Sequence, residues 1–462
     1  MAAEYCLVVL LFLVSCSSSS AVVAPVNSSR KLVDRLPGFS GPLPFSLETG
    51  YVAVDDVRFF YYFIQSERSP EDDPVLLWLT GGPGCSAFSG LVYEIGPLTF
   101  DFDGYRGGLP TLLYRPDSWT KVSNVIFVDS PAGTGFSYAI TAQGFKSSDT
   151  IVVRQLYSFI QKWFDDHPHF FSNPLYISGD SYSGIIIPTL MMEITKGIGS
   201  SDNRLLNLKG YIEGNPLTHS PHDENSKIPF LHGMGIIADE FYEVARKSCR
   251  GEYNNPGNSE ECANSMQAIG DCIRDINSEH ILEPQCTEAQ SPIFENNVLQ
   301  DGRTKLFESA VSSVCRDTNY ILSRLWANDK AVWESLGIHK GTVTTWKRCD
   351  DNLHYRYKKE IVNVVEYHLS LITKGYRGLI YSGDHDSGIS FVGTQGWLRS
   401  LNLSITDNWR PWYVNSEVAG FTRTYSNNLT YATVKGAGHT APEYMPKECL
   451  AMVDRWLSGE PL

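Results

Sequence analysis

PLYISGDSYSGIIIPTLMMEI, residues 174–194, sets Ser181 where one apolar run stops and a second begins. The first run has the length of a buried strand and the second that of a buried helix. A serine raised on such a strand-to-helix turn needs small neighbours so that its Oγ projects above the sheet, and Gly179, Ser183 and Gly184 supply them. The usual spacing G-x-S-x-G becomes G-x-S-x-S-G here. Ser181 could equally be a plain helix N-cap, so its meaning depends on what the rest of the chain offers.

Working outward, five further short apolar runs end in small or polar residues: VLLWLTGG (75–82), NVIFVDSPAG (124–133), KGYIEGNP (209–216), GLIYSGDHD (378–386) and TYATVKGAGH (430–439). Parallel strands buried on both faces have this character. Helical patterns lie between some of them, as in 147–168, where Ile151, Leu156, Phe159, Ile160 and Trp163 recur on one face. Strand and helix alternate, so the class is α/β. Between Asn215 and about Thr345 the strand runs cease and the chain turns polar, cysteine-rich and helical. This predicts an inserted cap, 215–345, over a discontinuous core of 25–214 and 346–462, with 291–305 as an exposed loop.

Ligands meet an open parallel sheet at the carboxyl ends of its strands. That edge offers Ser181, then Asp384 and Asp386, then His439, and the order serine, aspartate, histidine is that of α/β-hydrolases. Asp384 and Asp386 compete for the acid's place, and either could be an ordinary turn aspartate. GAGHTA around His439 matches a dinucleotide fingerprint, but that motif must open a helix, and Pro442 and Pro446 follow instead, so no nicotinamide cofactor is expected. Acyl transfer also needs donors for an oxyanion. The paired Gly81 and Gly82 after an early strand, with the amide of Tyr182 after the nucleophile, could provide them.

The 462 residues, 42% hydrophobic and 12% aromatic, allow a large core. A formal charge of -14 with no dense lysine or arginine block argues against nucleic acid as a partner. Residues 1–24 combine a short apolar run, Cys6 to Val14, with small residues before Ala21 and Ala24, as a secretory signal does, although Glu4 is untypical. No later segment suits a bilayer span, so no membrane attachment is expected after signal removal. Secretory entry makes disulfides the default for the cysteines beyond Cys6 and Cys16; a zinc site is disfavoured because no CxxC pair exists. Sequons at Asn27, Asn402 and Asn428 fit the same route, toward vacuole or exterior.

The blocks WLTGGPGCS, VDSPAGTGFSY, GDSYSG, YSGDHD and GAGHTAPEYMPKECLAMVDRWLSG resemble, in order, those of the plant serine carboxypeptidase family. The resemblance implies an α/β-hydrolase fold with a helical cap, a triad of Ser181, Asp386 and His439, and oxyanion donors at Gly82 and Tyr182. It also implies disulfides Cys85–Cys349, Cys249–Cys262 and Cys286–Cys315, with Cys272 and Cys449 free. Peptidases of the family grip a C-terminal carboxylate with an asparagine and two glutamates; here the matching residues are Thr80, Glu94 and Asp180, beside Gly81. That departure is similar to the acyltransferase branch, which moves an acyl group from a 1-O-acyl-glucose donor to an acceptor. A carboxypeptidase acting on peptides and a catalytically silent binding protein are the alternatives.

Overall fold

A computed structural model describes residues 28–197, 206–255, 257, 259–286, 316–350 and 352–462. The expected signal segment, Asn27, Cys315 and the loop 291–305 lie outside the described residues.

The centre is a twelve-stranded sheet. Its principal strands in chain order are β1 (Ser28–Leu32), β2 (Leu47–Val54), β3 (Val57–Ile64), β4 (Val75–Leu79), β5 (Asn124–Val128), β6 (Leu175–Asp180), β7 (Leu208–Gly214), β8 (Arg377–Gly383), β9 (Ile405–Val414), β10 (Glu417–Tyr425) and β11 (Leu429–Val434). Across the sheet they lie β1-β2-β3-β5-β4-β6-β7-β8-β11-β10-β9. The inner run β5-β4-β6-β7-β8-β11 is parallel throughout. These are the six runs whose apolar character is legible in the sequence. Antiparallel ribbons, β1-β2-β3 and β10-β9, extend the sheet at its two ends.

Alternate residues of the inner strands feed two cores. Leu76, Trp78, Tyr176, Ile212 and Leu379 point to one face, and Val75, Leu77, Ile177, Tyr211 and Ile380 to the other. Each face therefore needs a helical cover. The longer helices among the described residues are α1 (Asp149–Asp166), α2 (Ser183–Gly197), α3 (Ser220–Gly233), α4 (Asp239–Cys249), α5 (Glu260–Ile273), α6 (Ile321–Ala327), α7 (Lys330–Leu336), α8 (Val365–Thr373), α9 (Phe391–Ser400) and α10 (Pro446–Ser458). Residues of α1, α2, α8 and α9 join the second face, while Met452, Val453 and Trp456 of α10 join the first. α1 is capped by Ser148, whose Oγ accepts from Ile151 N at 3.4 Å. Its buried stripe includes Val152 and Val153 beside Leu156, Phe159, Ile160 and Trp163, while Ile151 is only half-buried.

The stretch 215–345 behaves in two ways. Ile228, Phe230 and Leu231 of α3, Ala245 and Cys249 of α4, and Cys262 and Ile269 of α5 form a small core of their own, and the disulfide Cys249–Cys262 joins α4 to α5. By contrast, Leu322 and Trp326 of α6 and Val332 and Leu336 of α7 are part of the first face's core. Trp326 stacks on Phe88 with ring centroids 5.0 Å apart, and its Nε1 donates to Pro37 O at 2.7 Å.

Candidate active site

Ser181 follows β6 directly, at φ 55, a left-handed backbone that a serine adopts only at a cost. Local bonds hold it there. Ser181 N donates to Gly214 O at 3.0 Å, and Ser181 O accepts from Gly184 N at 3.0 Å and Leu217 N at 2.9 Å. The loop after β4 closes over this turn. A Cβ on Gly81 would lie 2.5 Å from Ser181 Cβ and 3.0 Å from Tyr182 N, so only glycine permits the approach. Gly82 has φ 114, a conformation closed to other residues at little cost. The loop continues into Cys85, bonded to Cys349, and Ser86 N donates to Arg348 O at 2.6 Å. Asp129, fully buried, receives Ser86 Oγ at 2.6 Å, Ala87 N at 2.9 Å and Phe136 N at 2.8 Å. Burial outweighs these bonds and pushes its carboxyl up to about 6.

Asp386 and His439 stand beyond the ends of β8 and β11. His439 Nδ1 lies 2.6 Å from Asp386 Oδ2. A carboxylate can only accept, so Nδ1 carries the proton, and in the neutral ring Nε2 is left as the acceptor. Asp386 is fully buried, and its Oδ1 takes Gly388 N at 2.7 Å and Ile389 N at 3.2 Å. Asp384 faces elsewhere: its Oδ1 takes Gly436 N at 2.7 Å, and its Oδ2 pairs with Lys435 Nζ. Two aspartates one residue apart are thus divided between the histidine and the turn after β11.

A segment between α5 and the undescribed stretch ties these loops together. Ser278 O accepts from Ser387 N at 2.9 Å and Gly388 N at 3.1 Å, and Glu279 O accepts from His439 N at 2.8 Å. The Glu279 side chain is exposed, and its charge acts on His439. Burial works against the imidazolium, but Asp386, Glu279 and Asp180 outweigh it and raise His439 above the ordinary histidine value, making it a stronger base. The charge of His439 in turn acts on Asp180, the residue before Ser181, lowering its carboxyl against the effect of burial.

The remaining predicted residues gather beside Ser181. Asp180 and Glu94 are each 3% exposed, and their carboxyls act on each other. Burial raises both, Asp180 to about 6 and Glu94 well above the usual range, with the Asp180 charge adding to the rise at Glu94. Two close, buried carboxyls cannot both ionise cheaply, so the pair retains a proton. Asp180 Oδ1 also takes Gly81 N at 3.0 Å. Thr80 Oγ1 accepts from Trp78 Nε1 at 3.2 Å. The side chain of Tyr182 points away, its hydroxyl donating to Asp149 Oδ1 at 2.8 Å, so only its amide remains for the site. A small, half-open cavity of about 30 Å³ beside this turn is lined by Leu79, Thr80, Val128, Leu156, Tyr182 and Tyr357 among others.

Cys286 is disulfide-bonded, while Cys315 lies outside the described residues. Cys272 is free and exposed; Cys449 is free and buried. Asn402 and Asn428 are exposed. Among the described residues no cluster of three or more His, Cys, Asp or Glu could hold a metal, and no helix is long and apolar enough to cross a membrane. Asp129, Asp149, Asn215 and Glu279 were not signalled by the sequence. Nothing in their local runs marks them out, and the partners of each include residues from other parts of the chain.

A mostly parallel sheet with covering helices, whose carboxyl edge carries a strained serine turn and, after later strands, a bonded histidine–aspartate pair, defines an α/β-hydrolase. The chain belongs to the serine carboxypeptidase family, whose model matches residues 37–459. It is similar to Serine carboxypeptidase-like 10 of Arabidopsis thaliana, 47% identical over 439 residues, covering 94% of this chain and 95% of that one. Serine carboxypeptidase-like 19 of the same plant is 47% identical over 445 residues, covering 93% and 95%. Among solved structures, Kex1(delta)p, a prohormone-processing carboxypeptidase from Saccharomyces cerevisiae, shares the fold with a TM-score of 0.73 at 19% identity, covering 92% and 94%.

Proposed function

We propose that this enzyme is a serine-nucleophile acyltransferase that takes an acyl group from a 1-O-acyl-glucose ester and gives it to a small-molecule acceptor. Ser181 attacks the ester carbonyl while His439 Nε2 takes its proton, and Asp386 holds the imidazole in the required tautomer. The amides of Gly82 and Tyr182 receive the oxyanion. Glucose leaves with the proton from His439, which then deprotonates the acceptor for attack on the acyl-enzyme. Helices α3 to α5 supply a cap at the mouth, and the oxidised cysteines support passage through the secretory pathway.

The observation that carries this reading is the clamp beside Ser181. A peptide's terminal carboxylate offers only acceptor oxygens. Here one Asp180 oxygen is engaged by Gly81 N, and Thr80 stands in place of an asparagine amide. The pair Asp180–Glu94 can donate one proton and accept elsewhere, which suits sugar hydroxyls, groups that do both.

The test is incubation of the purified protein with a panel of acyl glucoses and acceptors beside a blocked dipeptide, with products scored by mass spectrometry. Acyl-acceptor products that vanish in Ser181→Ala are expected. Efficient dipeptide cleavage with no transfer from any acyl glucose would make it a carboxypeptidase; inertness toward both substrates and toward an organophosphonate would make it a binding protein.

A further inference from the structure

Nine described residues other than glycine have positive φ, and seven of them are exposed. The other two are Ser181 and Asn215, which follow the adjacent parallel strands β6 and β7 at the carboxyl edge. Asn215 has φ 39 and is fully buried. A left-handed, buried asparagine at a strand end persists only where its side chain is committed.

The commitment is visible in its bonds. Asn215 N donates to Tyr381 O at 2.8 Å, continuing the pairing of β7 with β8. Its Oδ1 accepts from Gly383 N at 2.9 Å. Only the oxygen end of the amide can accept from a backbone N–H, so this bond fixes which end is which. The amino end then faces Asp386, and Nδ2 donates to Asp386 Oδ2 at 2.8 Å. That is the same oxygen that receives His439 Nδ1 at 2.6 Å. On the other oxygen, Gly388 N and Ile389 N belong to Asp386's own turn. Asn215 is therefore the link between the carboxylate and the strand that lies next to the serine's strand. Without it, Oδ2 would keep His439 alone among these partners, and the carboxylate could pivot about Oδ1.

We propose that Asn215 is a positioning residue for the acid–base pair, holding the Asp386 carboxylate in the plane and distance that keep the proton on His439 Nδ1. The inference rests on the reading of Ser181, Asp386 and His439 as the reacting set. Asn215 touches no substrate in this scheme; it acts through Asp386.

Two variants of the full chain test it. Asn215→Gly removes the side chain while glycine accepts the positive φ. Asn215→Asp keeps the shape, and in its protonated form can still donate to Asp386. Two readouts are followed: the rate at which an organophosphonate labels Ser181, and the low-field proton resonance of His439 Nδ1–H. Asn215→Gly should lose about a hundred-fold in labelling rate, the scale of a sub-ångström to ångström misplacement of a reacting group, and its low-field resonance should move upfield or broaden. Asn215→Asp should label at close to the parental rate in mildly acidic buffer. It should fall progressively behind the parent as pH rises and its carboxyl ionises beside Asp386, the charged groups bonded into this cluster being Asp386 and, through it, His439. A parental resonance and labelling rate in Asn215→Gly overturns the proposal. Should Asn215→Gly fail to fold, the pH-dependent ratio of Asn215→Asp to parent decides, and a flat ratio refutes it. A parent that is never labelled sinks the reading of Ser181 instead, while the His439 resonance still reports on Asn215.

Discussion

The two aspartates Asp384 and Asp386 show how much a single position matters at this site. Asp386 Oδ2 meets the imidazole at 2.6 Å, while Asp384 is turned toward Lys435 and Gly436. Asp386→Asn should lower kcat by roughly ten-thousand-fold, because an amide stabilises the wrong histidine tautomer. Asp384→Asn should cost far less and act mainly on stability; steady-state transfer kinetics beside thermal melting separates the two. Asp180 makes a prediction of another kind. Its folded pKa, about 6, lies above the ordinary aspartate value of 3.8 because of burial. A carboxyl raised in this way favours the fold while protonated, so its contribution is greatest below the unfolded value and is lost as pH climbs through the folded one. Asp180→Asn, which keeps an acceptor for Gly81 N, should therefore melt higher than the parent at neutral pH. The gap should narrow as pH falls below about 6 and close only near the unfolded value of 3.8, as calorimetry across that range will show.

At the scale of elements, the oxyanion loop is held by a covalent tie as well as by hydrogen bonds. Cys85 and Cys349 are 264 residues apart in sequence, and their bond joins the loop after β4 to the segment entering the last part of the core. Cys85→Ala with Cys349→Ala should cost about 2–5 kcal/mol of stability. It should also depress Ser181 labelling at temperatures where the protein remains folded, since Gly81 and Gly82 lie just upstream. Cys272→Ser, at an exposed free thiol, should leave both readouts unchanged. If the double variant loses stability but labels at the parental rate, the disulfide supports the fold and not the loop. The β9–β10 ribbon illustrates a less legible element. β9 is largely exposed and lacks a long apolar run, and its turn is Asn415-Ser416, both at positive φ. Antiparallel edge strands with one wet face carry weaker local signals than strands buried on both faces.

For the whole molecule, the stretch 215–345 is divided between a small core built by α3 to α5 and the main core that receives α6 and α7. Trp326 is the clearest sign of that division, fully buried against Phe88 and bonded to Pro37. Trp326→Ala should destabilise by about 3–5 kcal/mol, the range for emptying a large aromatic site, and denaturant unfolding should detect it. Ser181 labelling below the new melting range should be little affected. A mild effect on stability would mean that α6 can detach from the main core.

The sequence by itself determined the inner sheet and the chemistry offered at its edge. Each inner strand is a contiguous apolar run because both of its faces are buried, and Ser181, the Asp384/Asp386 pair and His439 each follow such a run, so local pattern sufficed to single out these candidates. The α/β class was legible for the same reason, and the family through its resemblance in five ordered motif blocks. Only the tertiary structure decided which aspartate faces His439, that Asn215 and Glu279 stand beside that pair, and that α6 and α7 join the main core. Those contacts join residues far apart in the chain, brought together by a strand order that departs from sequence order. Hydrophobic periodicity is written into neighbouring residues, whereas the partner of a lone polar side chain depends on which strands come to lie side by side.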